Sequence, residues 1–378
     1  MNAVAQYIKN ITPKQMIMAV LAMLTVAGSI IFVHHNYSLY NRPIAHVLET
    51  SITETTSVTD RRGNEDHIYT QEIIAELKNS DYKGKRIRLV NDYSDSGAYD
   101  HEFKAGNDVF VSIDKESLEK NTLTGGITDV KRDHYLLIIV WIFFLTLLLV
   151  GRKQGLFAGI SLAVNIILLS YALDIYVSTG VNLLIICGLT AIIFTVLSLL
   201  VINGFNEKTY AAIVATLLGT SMSLLITFLA LWITNENGLR YEEMQFLTRP
   251  YTLVFLAGLF IGSLGAVMDV AISIAAALFE LYEKDHNISA EALKKSGFDI
   301  GKDIMGTMTN ILFFAYISGS IPMLIVYIKN FSPLDFTLSV NLSLELARAL
   351  AGGIGIVLTI PIGLYTTLFF IERRRAKQ

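Results

Sequence analysis

The 378-residue chain reads as an all-α polytopic membrane bundle of about eight transmembrane helices with a small extracytoplasmic β-barrel-like domain. Three observations lead there. The chain is 53% hydrophobic and only 17% charged, and its mean hydropathy of +0.51 lies above that of soluble domains. Apolar runs that meet or approach the length needed for a bilayer core of about 30 Å recur along it. One stretch, 35–132, lacks such runs and alternates polar with apolar residues instead.

The runs fall at 15–34, 135–150, 155–173, 181–202, 210–233, 251–282, 304–328 and 346–371, the second being short. They divide the chain into an N-terminal anchor helix (1–34), an external domain (35–132) and a seven-helix membrane domain (133–378). The first run has no small-x-small cleavage site near its end and stops abruptly at His34, His35 and Asn36, so a retained anchor is expected rather than a signal peptide. Orientation follows from Lys and Arg in the short loops. Lys9 and Lys14 precede the first run, Arg152 and Lys153 follow the second, and Lys208 follows the fourth. Lys284, Lys294, Lys295 and Lys302 separate the sixth from the seventh, and Arg373, Arg374, Arg375 and Lys377 close the chain. With eight crossings these all fall on one side, the cytoplasm, whereas 174–180 has no base and 329–345 only Lys329 among its lysines and arginines. Both termini are therefore expected inside and 35–132 outside.

In the external segment, strands are expected at 45–54, 65–77, 86–91 and 108–113, from polar alternation such as His67-Ile68-Tyr69-Thr70-Gln71-Glu72-Ile73. Turn signals at Arg62-Gly63-Asn64, Tyr82-Lys83-Gly84, Asp95-Ser96-Gly97 and Lys104-Ala105-Gly106-Asn107 separate them. Short strands at this spacing suggest an OB- or SH3-like barrel. It serves partner binding or gating, or is a folded spacer. Its charges are mixed, which leaves no basic footprint for nucleic acid. Cys187, the one cysteine, lies in an apolar run and reads as a small buried hydrophobe without a disulfide framework.

Asp269 is the most informative residue. It sits inside the nearly all-apolar run 251–282, where an ionised carboxylate costs roughly 2.5–3.5 kcal/mol on insertion scales. Such a residue faces a bundle interior or a water-filled cavity and marks a functional site. A second constellation is Asp299, Asp303, Thr307 and Asn310, whose spacings of four, four and three place them along one helix face. Asp303 reads equally as a cap at a helix start, and Asn310 as an interhelical hydrogen-bonding group. Asp269 lies eighteen residues past Tyr251, or about 27 Å at the α-helical rise, and Asn310 about 10 Å beyond Asp303. Asp269, Ser273, Thr307 and Asn310 are thus expected at similar depth, in a pocket reached from the cytoplasm. Without a nearby base, Asp269 should bind a proton near neutral pH. An ion pair with Lys302 would make it a structural strut instead.

As one helix, 251–282 would span about 48 Å, so it either projects from the membrane or breaks near Gly258, Gly262 and Gly265. Gly258 and Gly262 also have the small-x-x-x-small spacing of close helix packing, and Gly352, Gly353 and Gly355 admit the same packing explanation. Ser318-Gly319-Ser320-Ile321-Pro322 interrupts the seventh run, a pattern transporters use near their sites. A weak inverted repeat relates 155–165 to 258–269 and pairs Asn165 with Asp269. Enzymatic motifs are missing: no His-Glu-x-x-His, Gly-x-Ser-x-Gly or P-loop occurs. Ile300-Gly301-Lys302-Asp303 lacks the first glycine of the intramembrane aspartyl protease motif. No enzyme activity and no cofactor are expected.

The blocks 258–280 (GLFIGSLGAVMDVAISIAAALFE) and 296–316 (SGFDIGKDIMGTMTNILFFAY) resemble the signature of the YibE/F family of multipass bacterial membrane proteins. The similarity extends over most of the chain. Lys302 and Ile311 stand where the family's second block usually has Arg and Thr, which leaves charge and fold intact. The resemblance implies a bacterial cell membrane location, with a second copy or a related family chain as partner beside the lipid bilayer, and it names no substrate. The expected function is a secondary transporter or channel-like permease for a small solute or ion, proton-coupled through Asp269. The rival is a non-transporting scaffold or a receptor whose external domain binds a peptide or protein.

Overall fold

The computed structural model describes residues 13–60, 63–97, 100–114, 123–244 and 250–376, so Lys9, Arg62 and Lys377 lie outside the described residues. The chain divides into two compact units, Met1–Thr146 and Leu147–Gln378.

The first unit holds helix α1 (Pro13–His34), a short 3-10 turn at Asn36–Leu39, and five strands. These are β1 (Ile44–Thr59), β2 (Glu65–Leu77), β3 (Arg86–Ser94), β4 (Asp108–Ile113) and β5 (Leu123–Val130). They pair in the order β1-β2-β3-β5-β4, and β4 returns to β1 so that the sheet closes. The β3–β5 pair is parallel and the rest are antiparallel. Alternation places Ile73, Ala75 and Leu77 of β2 and Ile87 and Leu89 of β3 inside, packed with Ala45, Val47, Val109, Val111 and Leu123. Strand β5 is not among the four strands expected. Its glycine has a steric cause: a Cβ at Gly125 would run into the Ser112 carbonyl of β4.

A polar knot closes the base of this sheet. Lys131 is 1% exposed, and its ammonium donates to the Val33 carbonyl at 2.9 Å and to Asp133 Oδ1 at 2.8 Å. Asp133 Oδ2 in turn accepts from Asn36 Nδ2 at 3.0 Å and from the Tyr40 hydroxyl at 2.8 Å. The Tyr37 and Tyr40 rings lie 5.4 and 5.9 Å from the Lys131 ammonium. Burial, then the hydrogen bond to Asp108 at 2.9 Å, pushes the Tyr37 hydroxyl pKa up and keeps it a donor. A buried lysine is tolerated here because its donors are met and its charge is paired.

Among the described residues there are seven helices where eight were expected. The second and third apolar runs form one 47-residue element, α2 (Asp133–Thr179), whose backbone leaves helical geometry at Arg152 (φ 47°, ψ −120°). Gly155 lies against the Leu147 carbonyl, eight residues back, so the chain turns sharply there. The remaining helices are α3 (Leu183–Asn203), α4 (Glu207–Thr234), α5 (Tyr251–Lys284), α6 (Ala290–Lys329) and α7 (Leu334–Arg375). Six of the seven, α2 to α7, are long and apolar enough to cross a membrane. Neither α5 nor α6 breaks. Both run continuously past Gly258–Gly265 and past Pro322, and both exceed the bilayer core in length.

The core of the second unit is made by α4, α5 and α7. Small residues let backbones approach: a Cβ at Gly219 of α4 would run into Thr359, and one at Gly355 of α7 would lie 3.1 and 3.2 Å from Val267 and Ser223. Buried hydroxyls return to carbonyls of their own helix, as in Thr216 to Ala212 (2.8 Å), Thr220 to Thr216 (2.8 Å) and Thr359 to Gly355 (2.7 Å). Ser223 instead crosses to the Ala351 carbonyl at 2.7 Å. On the second arm of α2, Asn165 and Ser161 both donate to Ser198 of α3, at 2.8 and 3.0 Å.

The polar knot gives a prediction. Asp133→Ala leaves Lys131 buried without its carboxylate and should cost about 3 kcal/mol, whereas pairing it with Lys131→Met should recover most of the loss. Thermal melts of the purified full chain check this; a double variant no more stable than Asp133→Ala would contradict it.

Candidate functional site

Asp269 lies on α5 along a strip formed by Gly258, Gly262, Gly265, Asp269, Ala276 and Glu280, with Ser273 half-buried beside it. The spacing of three, four and seven keeps these on one helix face, and all but the half-buried Ala276 are exposed on the surface of the bundle. Among the described residues Asp269 has no hydrogen-bond or ion-pair partner. Lys302, the strut candidate, pairs instead with Asp299 at 3.7 Å, both side chains being largely exposed. A Cβ at Gly258, Gly265 or Gly319 would meet nothing within 4 Å, whereas one at Gly262 would collide with the Tyr316 hydroxyl.

Helices α5 and α6 run antiparallel beside each other. Gly262 faces Tyr316 and Leu278 faces Gly297, so the antiparallel pair places Asp269 level with about Thr307–Met308. Direction differs from depth. Contacts of α6 run through Gly297 (to Leu364), Gly301 (to Ile360) and Leu312 (to Gly352). Asp303 and Asn310 lie about 160–180° around the helix from Leu312, and Asp299, Asp303, Thr307 and Asn310 are all exposed. The structure thus brings Asp269 and the α6 constellation to one level but aims the constellation away from the packed face. Asp303 caps no helix start, because α6 begins at Ala290 with Ser289 as its cap, accepting from Ala292 N at 3.1 Å.

The Asp269 strip ends in a charged vestibule. A cavity of about 630 Å³ at the C-terminal end of α5 is lined by Ala276, Glu280 and Glu283, by Glu207 and Lys208 from the start of α4, and by Arg374 of α7. Arg374 approaches Glu283 at 3.4 Å and Glu207 at 3.9 Å. Ala276 stands two turns from Asp269, about 10 Å along the helix. At the opposite end of the bundle lies a pair the sequence reading passed over. Glu345 and Arg348 form an ion pair, 18% and 20% exposed, on α7, and the guanidinium sits 5.5 Å from the Phe255 ring. The eighth apolar run begins at Leu346, one residue past Glu345, so hydropathy sets the two charges on opposite sides of its border. Helix α7 starts at Leu334, and opposite charges three residues apart at a run's border were the available signal. Among the described residues, nearby Tyr316 has a buried hydroxyl with no hydrogen-bond partner.

The Gly262–Tyr316 contact is testable. Gly262→Ala should lower stability by about 1 kcal/mol through overpacking, and Tyr316→Phe should restore it, since the hydroxyl removed is the colliding atom and makes no hydrogen bond. Melting temperatures of the two single variants and the double variant check this; additive losses would contradict it.

Comparison with known proteins follows the same division of the chain. Residues 139–373 match the model of the YibE/F-like protein family, and residues 38–130 match that of the YibE/F family N-terminal domain. No curated protein and no solved structure matches the chain. The two family matches abut across nearly its whole length, so the chain belongs to the YibE/F family.

Proposed function

We propose that this protein moves a small solute or ion across a bacterial cell membrane, with Asp269 as the proton-coupling carboxylate. One observation carries the reading: Asp269 is exposed and unpartnered in an apolar membrane helix, on a strip that leads into the charged vestibule. A bare carboxylate against lipid is unfavourable, so its strip is read as lined by water. The vestibule, with Lys208 and Arg374 beside Glu207, Glu280 and Glu283, then forms the cytoplasmic entrance. This orientation follows the positive-inside rule, with the reversal at Arg152 keeping both termini on the cytoplasmic side and the β unit outside. Gly258 and Gly265, each with nothing within 4 Å of a Cβ position, remove side-chain bulk along the strip.

Uptake by proteoliposomes under an imposed pH gradient, scanned across small inorganic ions and metabolite pools, tests the reading. Asp269→Asn should keep expression and melting temperature yet abolish uptake and the accompanying proton movement. Lys302→Ala should change stability by no more than about 0.5 kcal/mol, the range for an exposed surface pair. Matched destabilisation by both substitutions, or uptake unchanged in Asp269→Asn, would sink the coupling role.

A further inference from the structure

Strand β1 outruns the sheet that holds it. Strand β2 pairs with it from Ala45 to Thr59, but β4 covers its other edge only over Ile44–His46, with Gly106 and Asn107 adding bonds to Val47. From Glu49 to Thr59 every residue is exposed. Register shifts after Val47 and after Ile52 bulge the strand, and bulges guard an open edge. Beyond the second bulge that protection ends, and Glu54–Thr59 pairs without interruption with Glu65–Thr70. Asp60 N donates to the Asn64 carbonyl at 3.0 Å, and Gly63 N to the Asp60 carbonyl at 3.1 Å. Asp60 therefore turns its main-chain groups toward β2, and alternation turns those of Thr55, Ser57 and Thr59 to the open side. Lysine and proline, which commonly blunt such an edge, do not occur in β1.

The charge around this edge is of one sign. Glu54, Asp66 and Asp92 stand on one face of the ribbon, and Glu65 and the His67-paired Asp95 on the other. Neither β1 nor β2 contains Lys or Arg. Arg61 and Arg62, at the hairpin tip, lie outside the described residues. Glu54 and Glu65 have no ion-pair partner among the described residues.

We propose that the Glu54–Thr59 edge binds an extended segment of another protein, rich in lysine or arginine, as an added β-strand. Donors and acceptors at every second residue match the repeat of an extended backbone, which makes the occupant a polypeptide. The unpaired carboxylates on both faces select its charge. A second copy at the same edge would set Glu54 and Glu65 against carboxylates like themselves, so a basic segment is the better match. The added strand also supports the hairpin past Ile68, where β3 pairing stops and a two-stranded ribbon is marginal by itself. The proposal does not depend on transport.

Fluorescence anisotropy with the full chain in phosphatidylcholine nanodiscs tests it, with labelled Thr-Lys-Val-Lys-Val-Lys-Thr as the probe. Saturable binding is expected. Replacing the probe's lysines by glutamate should abolish it. Methylating alternate backbone nitrogens of the probe keeps its charge but removes the donors that face the edge, and should weaken binding by about tenfold, the order of one or two main-chain hydrogen bonds. Proline is tolerated on an edge strand where its missing N–H faces outward. Ser57→Pro should therefore keep the native melting temperature and also lose affinity by about tenfold. Glu54→Gln should flatten the dependence of binding on salt. If Ser57→Pro fails to fold, the methylated probe still decides, because it leaves the protein unaltered. No saturable binding by the native chain, or equal binding of the methylated and unmethylated probes, would overturn the proposal. So would a dimer of the native chain that Ser57→Pro dissolves and the probe leaves intact.

Discussion

The absence of water in a bilayer core is the constraint on which this structure depends. Every backbone and side-chain polar group placed there needs a partner within the protein. Helices α4, α5 and α7 meet that demand with short hydroxyls. Thr216, Thr220 and Thr359 each bond a carbonyl one turn back in their own helix, and Ser223 alone reaches across to Ala351. Glycines at 219 and 355 then bring the helices close enough for dispersion contacts to hold them without a hydrophobic driving force. The same logic governs Lys131 at the base of the β unit, where burial is matched by Asp133, the Val33 carbonyl and two tyrosine rings.

Against that background the unsatisfied groups become informative. Asp269 and Asn310 have no partner among the described residues, and both sit on open faces of helices whose other faces are packed. Their separation into two directions matters. Asp269 belongs to a glycine strip running to a vestibule of mixed charge, whereas Asn310 belongs to the unpacked side of α6. The first arrangement suits a route for water and ions.

Much of this was legible in the residues. Apolar length located six of the long helices, and alternation located four strands, because both periodicities are properties of local sequence. Asp269 stood out because nothing else charged lies near it in its run. What was missed has physical causes. Strand β5 passes beside the Ser112 carbonyl because Gly125 has no Cβ, a contact that local alternation does not report. Gly151-Arg152-Lys153 looks like a loop, yet the helix resumes within one residue of its break. The charged stretch 290–303 looks like a connection, yet it is helix that continues beyond the apolar run. Glu345 and Arg348 were lost at a run's border for the same reason. Hydropathy reports where lipid begins, not where a helix does. The orientation of the α6 stripe was also beyond the sequence, since spacing groups residues on a face without saying what that face meets.

The account turns on whether the Asp269 carboxyl exchanges protons with water rather than standing as a fixed pair. Peptide mapping after treatment of the full chain in membranes with a hydrophobic carbodiimide, which reacts with protonated carboxyls, measures this directly. Modification at Asp269, with none on that peptide in Asp269→Asn, is the predicted result. A carboxyl at 269 that stays unmodified at every pH, with Asp299 and Asp303 reacting normally, would contradict it.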